Sequence, residues 1–252
     1  RYKWRGTSPF YFLWRRADAP SRLFTERPPL QPAVLFREAG HAILRSPDLW
    51  VAYNGGWISN KSHSNKDLGS FVLVAGDERL VHDPGYGDGE TAQHSTILVN
   101  EEGQQPGQRG TYLHFGSGHR FHYLASDLSG VYRDKSLQRF VRHLVMVHGS
   151  YVVILDDLRA ESAAEFEWRL QTRHAVELDK GLALVRGARW DLRVANVLEG
   201  QTMDAETWRR DKSGESVTSL RIRPAAASES TCFLTVLFPV RKTDDARPEG
   251  RG

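Results

Sequence analysis

The stretch RFVRHLVMVHGSYVVILDDL, residues 139–158, decides the fold class. Two apolar runs rich in valine flank the triplet His148-Gly149-Ser150, which is typical of a turn. The first run could pass as a helix, but its β-branched residues favour a strand. The stretch therefore predicts two antiparallel strands joined by a tight turn, with the second strand buried on both faces.

Apolar runs of this kind continue in both directions from the predicted hairpin. In AEFEWRLQT (residues 164–172), apolar and charged side chains alternate from Phe166 to Leu170. A period of two with one polar face is typical of a half-buried strand. More than ten such runs, with hardly any helical pattern, predict an all-β protein built as a large antiparallel β-sandwich.

The N-terminal part of the chain has a different composition. Residues 1–36 are aromatic, basic and proline-rich and have no sustained helical period. Such a segment indicates a linker or the tail of an upstream domain. We therefore divide the chain into a linker, residues 1–36, and a β-sandwich domain, residues 37–252.

Composition and charge limit the possible partners. The 252 residues carry a formal net charge of +3, a bias too weak to indicate nucleic acid but one that favours a polyanionic substrate. No apolar run approaches the roughly 20 residues that span a bilayer. We therefore expect neither a nucleic-acid nor a membrane partner. The single cysteine, Cys232, lies in an apolar run and leaves no disulfide framework within the chain.

Metal- and proton-handling side chains gather at the two ends of the predicted strand FVLVA. His63, Asn65 and Asp67 precede it at a spacing of two, so in an extended chain their side chains share one face. Asp83 follows in the turn HDPGYG, and His94 stands just before another predicted strand. Carboxylate and imidazole groups from separate strand ends suit zinc or a similar divalent ion. The alternative is a hydrogen-bond network within the loops.

Five segments, taken in chain order, carry a family resemblance: GHAILRS (40–46), SHSNKDLGSFVLVAGDERLVHDPGYG (62–87), TAQHSTILVN (91–100), FVRHLVMVHGSYVVILDDLRA (140–160) and FEWRLQT (166–172). Together they resemble the heparinase II/III family of polysaccharide lyases, over about residues 33–240. That family has an N-terminal α/α toroid followed by an antiparallel β-sandwich. The resemblance implies that this chain is the sandwich, that residues 1–32 lead from the toroid, and that the protein is periplasmic or secreted.

The resemblance assigns roles residue by residue. His63 takes the position of a catalytic or substrate-contacting histidine, and Asp83 and His94 take the positions of two metal ligands. The family's remaining ligand is a histidine at the position of Asn65. Because an amide oxygen binds zinc poorly beside an imidazole, the resemblance implies that zinc is held weakly or not at all. Asp67 could in principle become a ligand, but its place in the motif indicates that it orients its loop through backbone hydrogen bonds.

The chemistry that the resemblance implies is β-elimination in a uronic-acid-containing polysaccharide, either glycosaminoglycan- or alginate-like. His63 would be the proton-transfer residue, since histidine exchanges protons near neutral pH. In the family, a tyrosine and an asparagine or glutamate from the toroid complete the catalytic set. Tyr86 is the local phenol that could stand in for that tyrosine. The sandwich is therefore expected to need its own toroid for full activity.

Other residues are candidates for contact with the substrate. Trp57 could stack on a sugar ring or pack in the core, and His119 could line a sugar groove or occupy an exposed turn. The amide of Asn65 could also contact the sugar. Arg142 could clamp a uronate carboxylate, although its place inside a predicted strand favours a structural role.

Two other functions stay open. One is a non-catalytic carbohydrate-binding or scaffold module with a degenerate metal site. The other is a cupin-like metal oxygenase, since a histidine-containing loop followed by PGYG and a further histidine is similar to the cupin pattern. A cupin needs an intact His-x-His followed by a glutamate, which Asn65 and Asp67 do not supply.

Overall fold

A computed structural model describes residues 30–59, 64–85, 89–210 and 213–242. Within these residues the chain forms seventeen strands and no α-helix. The strands are β1 (Ala33–Phe36), β2 (His41–Arg45), β3 (Leu49–Asn54), β4 (Phe71–Ala75), β5 (Glu78–Val81), β6 (Ile97–Val99), β7 (Thr111–Ser117), β8 (Phe121–Asp127), β9 (Leu137–Val147), β10 (Tyr151–Ala164), β11 (Phe166–Thr172), β12 (Ala175–Asp179), β13 (Leu182–Arg186), β14 (Trp190–Asn196), β15 (Gln201–Arg209), β16 (Ser216–Pro224) and β17 (Ser228–Arg241). Two short 3₁₀ helices, Thr91–Gln93 and Ser129–Val131, interrupt this pattern.

The strands form three antiparallel sheets. The first has the order β1-β2-β3-β4-β5, the second β12-β13-β14-β17-β10-β9-β8-β7, and the third β15-β16-β11-β6. Side chains from all three sheets contribute to one buried hydrophobic cluster. The predicted all-β antiparallel sandwich is therefore confirmed.

The hairpin of β9 and β10 lies at the centre of the eight-stranded sheet. Val147 pairs with Tyr151 across the turn, and Gly149 adopts a φ of +62° there. A Cβ on Gly149 would lie 2.4 Å from Ser46 Cβ. The turn therefore requires glycine for two reasons, the positive φ and the close approach of Ser46. Only one face of β10 is covered: Ile154 is fully buried, whereas Leu155 is 36% exposed. The expected burial of β10 on both faces is wrong, because its outer face lies at the surface.

The alternating pattern of β11 behaves as predicted. Phe166, Trp168 and Leu170 are buried, and Glu167 and Arg169 between them are partly exposed. Trp168 is the largest fully buried side chain of the described residues. Because burying large aromatic side chains stabilises a core strongly, this strand anchors the four-stranded sheet to the rest of the fold.

The folded unit begins a few residues before the expected domain boundary. The described residues from Pro32 onward form one unit, and all four residues of β1 pair with β2. The boundary expected at residue 37 therefore falls just after β1, and the last part of the expected linker is the first strand of the sheet. Residues 1–29 lie outside the described part of the chain.

The five-stranded and four-stranded sheets meet where β5 ends. The backbone N–H of His82 donates to the carbonyl of Gln171 at 2.8 Å, and the Thr172 hydroxyl donates to the carbonyl of Leu80 at 2.8 Å. These two bonds join the end of β5 to β11. Asp83 therefore stands at the junction of two sheets.

No helix of the described residues has the length and apolar character to cross a bilayer.

Candidate functional site

Three ionisable side chains meet at this junction. Asp67, Asp83 and His94 each offer a ligand atom, and these atoms lie within 4.8 Å of one another. We call these three residues the Asp67–Asp83–His94 cluster. Asp67 precedes β4 and Asp83 follows β5, and the start of one antiparallel strand lies beside the end of its neighbour. The structure thus brings together Asp83 and His94, two of the predicted ligands, and adds Asp67.

His94 is the most deeply buried member of the cluster. It ends the 3₁₀ helix Thr91–Gln93, and its side chain has no exposed surface. Its Nδ1 lies 3.0 Å from Asp83 Oδ2. Its Nε2 is buried without a hydrogen-bond partner among the described residues. Of the two imidazole nitrogens, Nδ1 is therefore the one that the structure places against another member of the cluster.

The environment moves the pKa values of the two carboxyl groups in opposite directions. Burial is the main cause that raises the pKa of Asp67, and the negative charge of Asp83 adds to it, against an opposing effect of His94. Burial also pushes the pKa of Asp83 upward, but the hydrogen bond and charge of His94 and the Gly85 amide outweigh it and lower that pKa. The Gly85 N–H donates to Asp83 Oδ1 at 2.8 Å. Asp83 is therefore the carboxylate that stays ionised more readily.

The loop before β4 presents Asp67 to the cluster. Asn54 Nδ2, from the end of β3, donates to Asp67 Oδ1 at 2.9 Å. Asp67 is predicted to orient its loop, and the structure in addition places its carboxylate among the possible ligand atoms. Asn65 lies in the same loop, and its amide oxygen is 3.4 Å from where a Cβ on Gly89 would be. The Lys66 ammonium pairs with Glu90 at 2.5 Å, which ties this loop to the segment that carries His94.

A pocket of about 330 Å³ adjoins the cluster. It lies on the outer face of β2, β3 and β4, and both Asp67 and Asp83 line it. Its apolar lining includes Phe36, Ile43, Ala52 and Val72, and its polar lining includes His41 and Asn54. An apolar floor with a few polar groups at one end is the usual character of a small-molecule site. The sequence analysis does not predict the contribution of His41: the residue lies in the GHAILRS segment, but no spacing relates it to the cluster.

Several predicted residues lie away from the cluster or beyond the description. His63 and Tyr86, the predicted catalytic residues, lie outside the described residues. Trp57 is 52% exposed, not packed in the core, and the Arg109 guanidinium lies 5.9 Å from its ring centroid. His119 is exposed in the turn between β7 and β8. Neither Trp57 nor His119 is among the described residues that line the pocket.

Two further side chains near the site, His82 and Arg142, are buried among other protein groups. The ring of His82 lies 5.5 Å from that of His174, and burial together with the charges of Arg173 and His174 lowers the pKa of His82 to about 3. Arg142 is fully buried and binds Asp156 through two hydrogen bonds of 2.7 and 2.8 Å. Neither residue is exposed to bind a polysaccharide, and for Arg142 this agrees with the structural role that its strand position favours.

Comparisons with known proteins agree with this description. The sequence model of the heparinase II/III-like C-terminal domain matches residues 28–235. No curated protein matches the chain. A heparinase III structure superposes with a TM-score of 0.75 at 15% identity, over 87% of this chain and 38% of that chain. A mutant of the heparan sulfate lyase HepC from Pedobacter heparinus gives a TM-score of 0.73 at 13% identity, over 86% of this chain and 38% of the other.

The structural likeness shows a shared fold, and the chain spans less than two-fifths of the length of either structure. The sequence match covers most of the 252 residues. The chain therefore belongs to the heparinase II/III-like family, of which it is the C-terminal β-sandwich domain.

Proposed function

We propose that this chain is the β-sandwich portion of a polysaccharide lyase that cleaves a uronic-acid-containing polysaccharide by β-elimination. The observation that carries the proposal is the Asp67–Asp83–His94 cluster beside the pocket on β2, β3 and β4. Membership of the heparinase II/III-like family supports the reaction class. The net charge of +3 favours an acidic polymer over a basic one.

The reaction needs two proton transfers. A base removes the proton on C5 of the uronate, the C4–O4 bond breaks as the C4–C5 double bond forms, and an acid protonates the departing oxygen. We assign one of these transfers to His63, because it holds the position of the family's catalytic histidine. The residues for the other proton transfer would come from an upstream toroid domain. Within this chain, Tyr86 is the phenol that could take the place of the toroid tyrosine.

The cluster fits a divalent cation. Two carboxylates and an imidazole form a donor set suited to zinc or a similar ion, and their ligand atoms lie within 4.8 Å of one another. Asp67, Asp83 and His94 would hold the ion, with Asn65 as a neutral fourth donor. Such an ion would supply positive charge beside the pocket. Asp67 gives the set a charged oxygen that offsets the loss of a histidine at Asn65.

The experiment is a cleavage assay on the full-length protein. The protein is incubated separately with several uronic-acid-containing polysaccharides (uronans), beginning with heparan sulfate and alginate. The unsaturated uronate product is followed by ultraviolet absorbance. We expect product from one class of uronan and its loss in the His63→Ala variant, whereas His148→Asn in the exposed turn between β9 and β10 should retain activity. Absence of product from every uronan tested would contradict the proposal.

A second candidate is a non-catalytic carbohydrate-binding module. The half-exposed ring of Trp57 favours it, since exposed tryptophans stack on sugar rings. This function predicts that the full-length protein binds a uronan without releasing product, and that Trp57→Ala weakens binding. The same assay, combined with a binding measurement, separates the two functions.

A further inference from the structure

One guanidinium bridges two of the three loops that carry the cluster, those of Asp67 and His94. Arg142 lies on β9, and its Nη1 donates to the carbonyl of Gly69 at 2.5 Å and to the carbonyl of Ser95 at 2.9 Å. Gly69 follows Asp67 by two residues, and Ser95 is the residue after His94. The two hydrogens of a single nitrogen thus hold one carbonyl from each loop.

The other side of the guanidinium is held just as firmly. Arg142 Nε and Nη2 donate to the two carboxylate oxygens of Asp156, which faces Arg142 directly on β10. Both side chains are completely buried. Because the planar guanidinium is bound in a bidentate pair, its remaining edge has a fixed direction, and that edge points to Gly69 and Ser95.

The backbone at these two carbonyls has little freedom of its own. Gly69 adopts a φ of +84°, and a Cβ there would lie 2.7 Å from Leu128 Cδ1. Its neighbour Leu68 is bonded through both its N–H and its carbonyl to the side chain of Gln104, at 2.9 and 2.7 Å. A shift of the Arg142 guanidinium would therefore move the loop of Asp67 on one side and the loop of His94 on the other.

We propose that Arg142 is a positioning residue, and that the Arg142–Asp156 pair sets the separation between Asp67 and His94. The site it positions is the one in the proposed function, but the contacts that support the inference are independent of the reaction. The competing account is that the pair only stabilises the sandwich. A buried ion pair is weak evidence of stability, since apolar residues of similar volume often replace such a pair without loss.

The test uses that property to separate folding from positioning. In the full-length protein, the double variant Arg142→Met/Asp156→Leu removes both charges and leaves the buried volume filled. We expect it to stay folded, with an unfolding temperature lowered by no more than the loss of the two hydrogen bonds to the carbonyls of Gly69 and Ser95 implies. We expect amide hydrogen exchange in residues 64–71 and 91–97 to rise by roughly tenfold or more, while exchange in β10 and β17 stays unchanged.

A matched control lies on the same two strands. Arg139 and Asp157 form an exposed pair, with Arg139 Nε 2.6 Å from Asp157 Oδ2, and Arg139→Gln/Asp157→Asn should leave exchange in both loop segments unchanged. Arg142→Lys is the second test, because the three hydrogens on one ammonium nitrogen cannot reproduce the four bonds of the planar guanidinium, two to Asp156 and one to each carbonyl. It should also raise exchange in the two loop segments.

Two outcomes would overturn the inference. One is a folded double variant whose loop segments exchange as in the unmodified protein. The other is an Arg142→Lys variant in which exchange rises equally in all core strands, as a purely stabilising role predicts. If the unmodified protein cleaved no uronan, the proposed function would fail, but the exchange comparison would still decide the role of Arg142.

Discussion

His94 Nδ1 lies 3.0 Å from Asp83 Oδ2, and this contact joins a completely buried imidazole to a carboxylate that is 28% exposed. Asp83 thereby links the interior of the sandwich to the pocket that it lines. The imidazole keeps its second nitrogen for another partner. The cluster is therefore enclosed at His94 and accessible at Asp83.

The first prediction concerns Asp67, the second carboxylate of the cluster. Asp67→Asn should lower the affinity for zinc by roughly 10–100-fold or more, because it removes a carboxylate from the donor set. Asn65→His should raise the affinity, since an imidazole replaces a neutral oxygen. Competition with a chromophoric chelator measures both effects. Asp77→Asn, in an exposed carboxylate paired with Arg189, is the control, and equal affinity for Asp67→Asn would show that Asp67 is not a ligand.

The second prediction concerns proton transfer. In the full-length enzyme His63→Ala should reduce turnover by roughly 10²–10⁴-fold, which is the usual contribution of a general acid or base. Binding of the polysaccharide should change far less, so kcat should fall more than KM rises. Steady-state kinetics with the preferred uronan provide the measurement. A variant with nearly full turnover would remove His63 from the mechanism.

The third prediction concerns pH and the junction of β5 with β14. Burial pushes the pKa of Glu78 upward, but hydrogen bonds from the N–H groups of Ala188, Arg189 and Trp190 outweigh it and hold the pKa below its ordinary value of 4.5. A carboxyl group with a lowered folded-state pKa stabilises the fold above the unfolded-state pKa and loses that effect as the pH falls through the folded-state value.

Glu78→Gln should therefore lower the free energy of unfolding by about 1 kcal/mol near neutral pH. The difference from the unmodified protein should shrink as the pH falls below 4.5. Urea unfolding at several pH values measures it, with the exposed Glu229→Gln as control. A difference that does not depend on pH would mean that the charge of Glu78 is not the cause.

The fourth prediction concerns the turn before β4. Gly69→Ala places a Cβ at a φ of +84° and against Leu128, so it should lower the free energy of unfolding by about 1–3 kcal/mol. Gly116 on β7 is the matched control, since a Cβ there meets nothing within 4 Å. Chemical denaturation of both variants provides the comparison. Equal stability of the two would show that the turn adapts.

Local patterns were sufficient to predict the class of fold. The hairpin of β9 and β10 was predicted from its two valine-rich runs and the turn at Gly149, and β11 from its strict alternation. Periodicity tells which side chains share a face of a strand. It does not tell whether a second layer covers that face, and this is why the surface position of Leu155 was missed.

The candidate site was predictable only in part, for a similar reason. Asp83 and His94 follow from the family motif, but the place of Asp67 depends on the register of β4 with β5 and on the left-handed turn at Gly69. The role of Arg142 was out of reach, because its partners Gly69 and Ser95 are 73 and 47 residues away in the sequence. Contacts at such separation leave no local pattern.

The junction of β5 with β11 has a consequence for how this chain must assemble. All three members of the cluster stand within the first hundred residues of the chain, but the groups that hold their loops, Arg142 and Gln171, are made later in synthesis. A nascent chain that ends before β11 carries the whole motif without the partners that bring it together. Ligand binding at the cluster would thus report that the chain has folded at least as far as β11, and a fragment that contains only the motif would not bind.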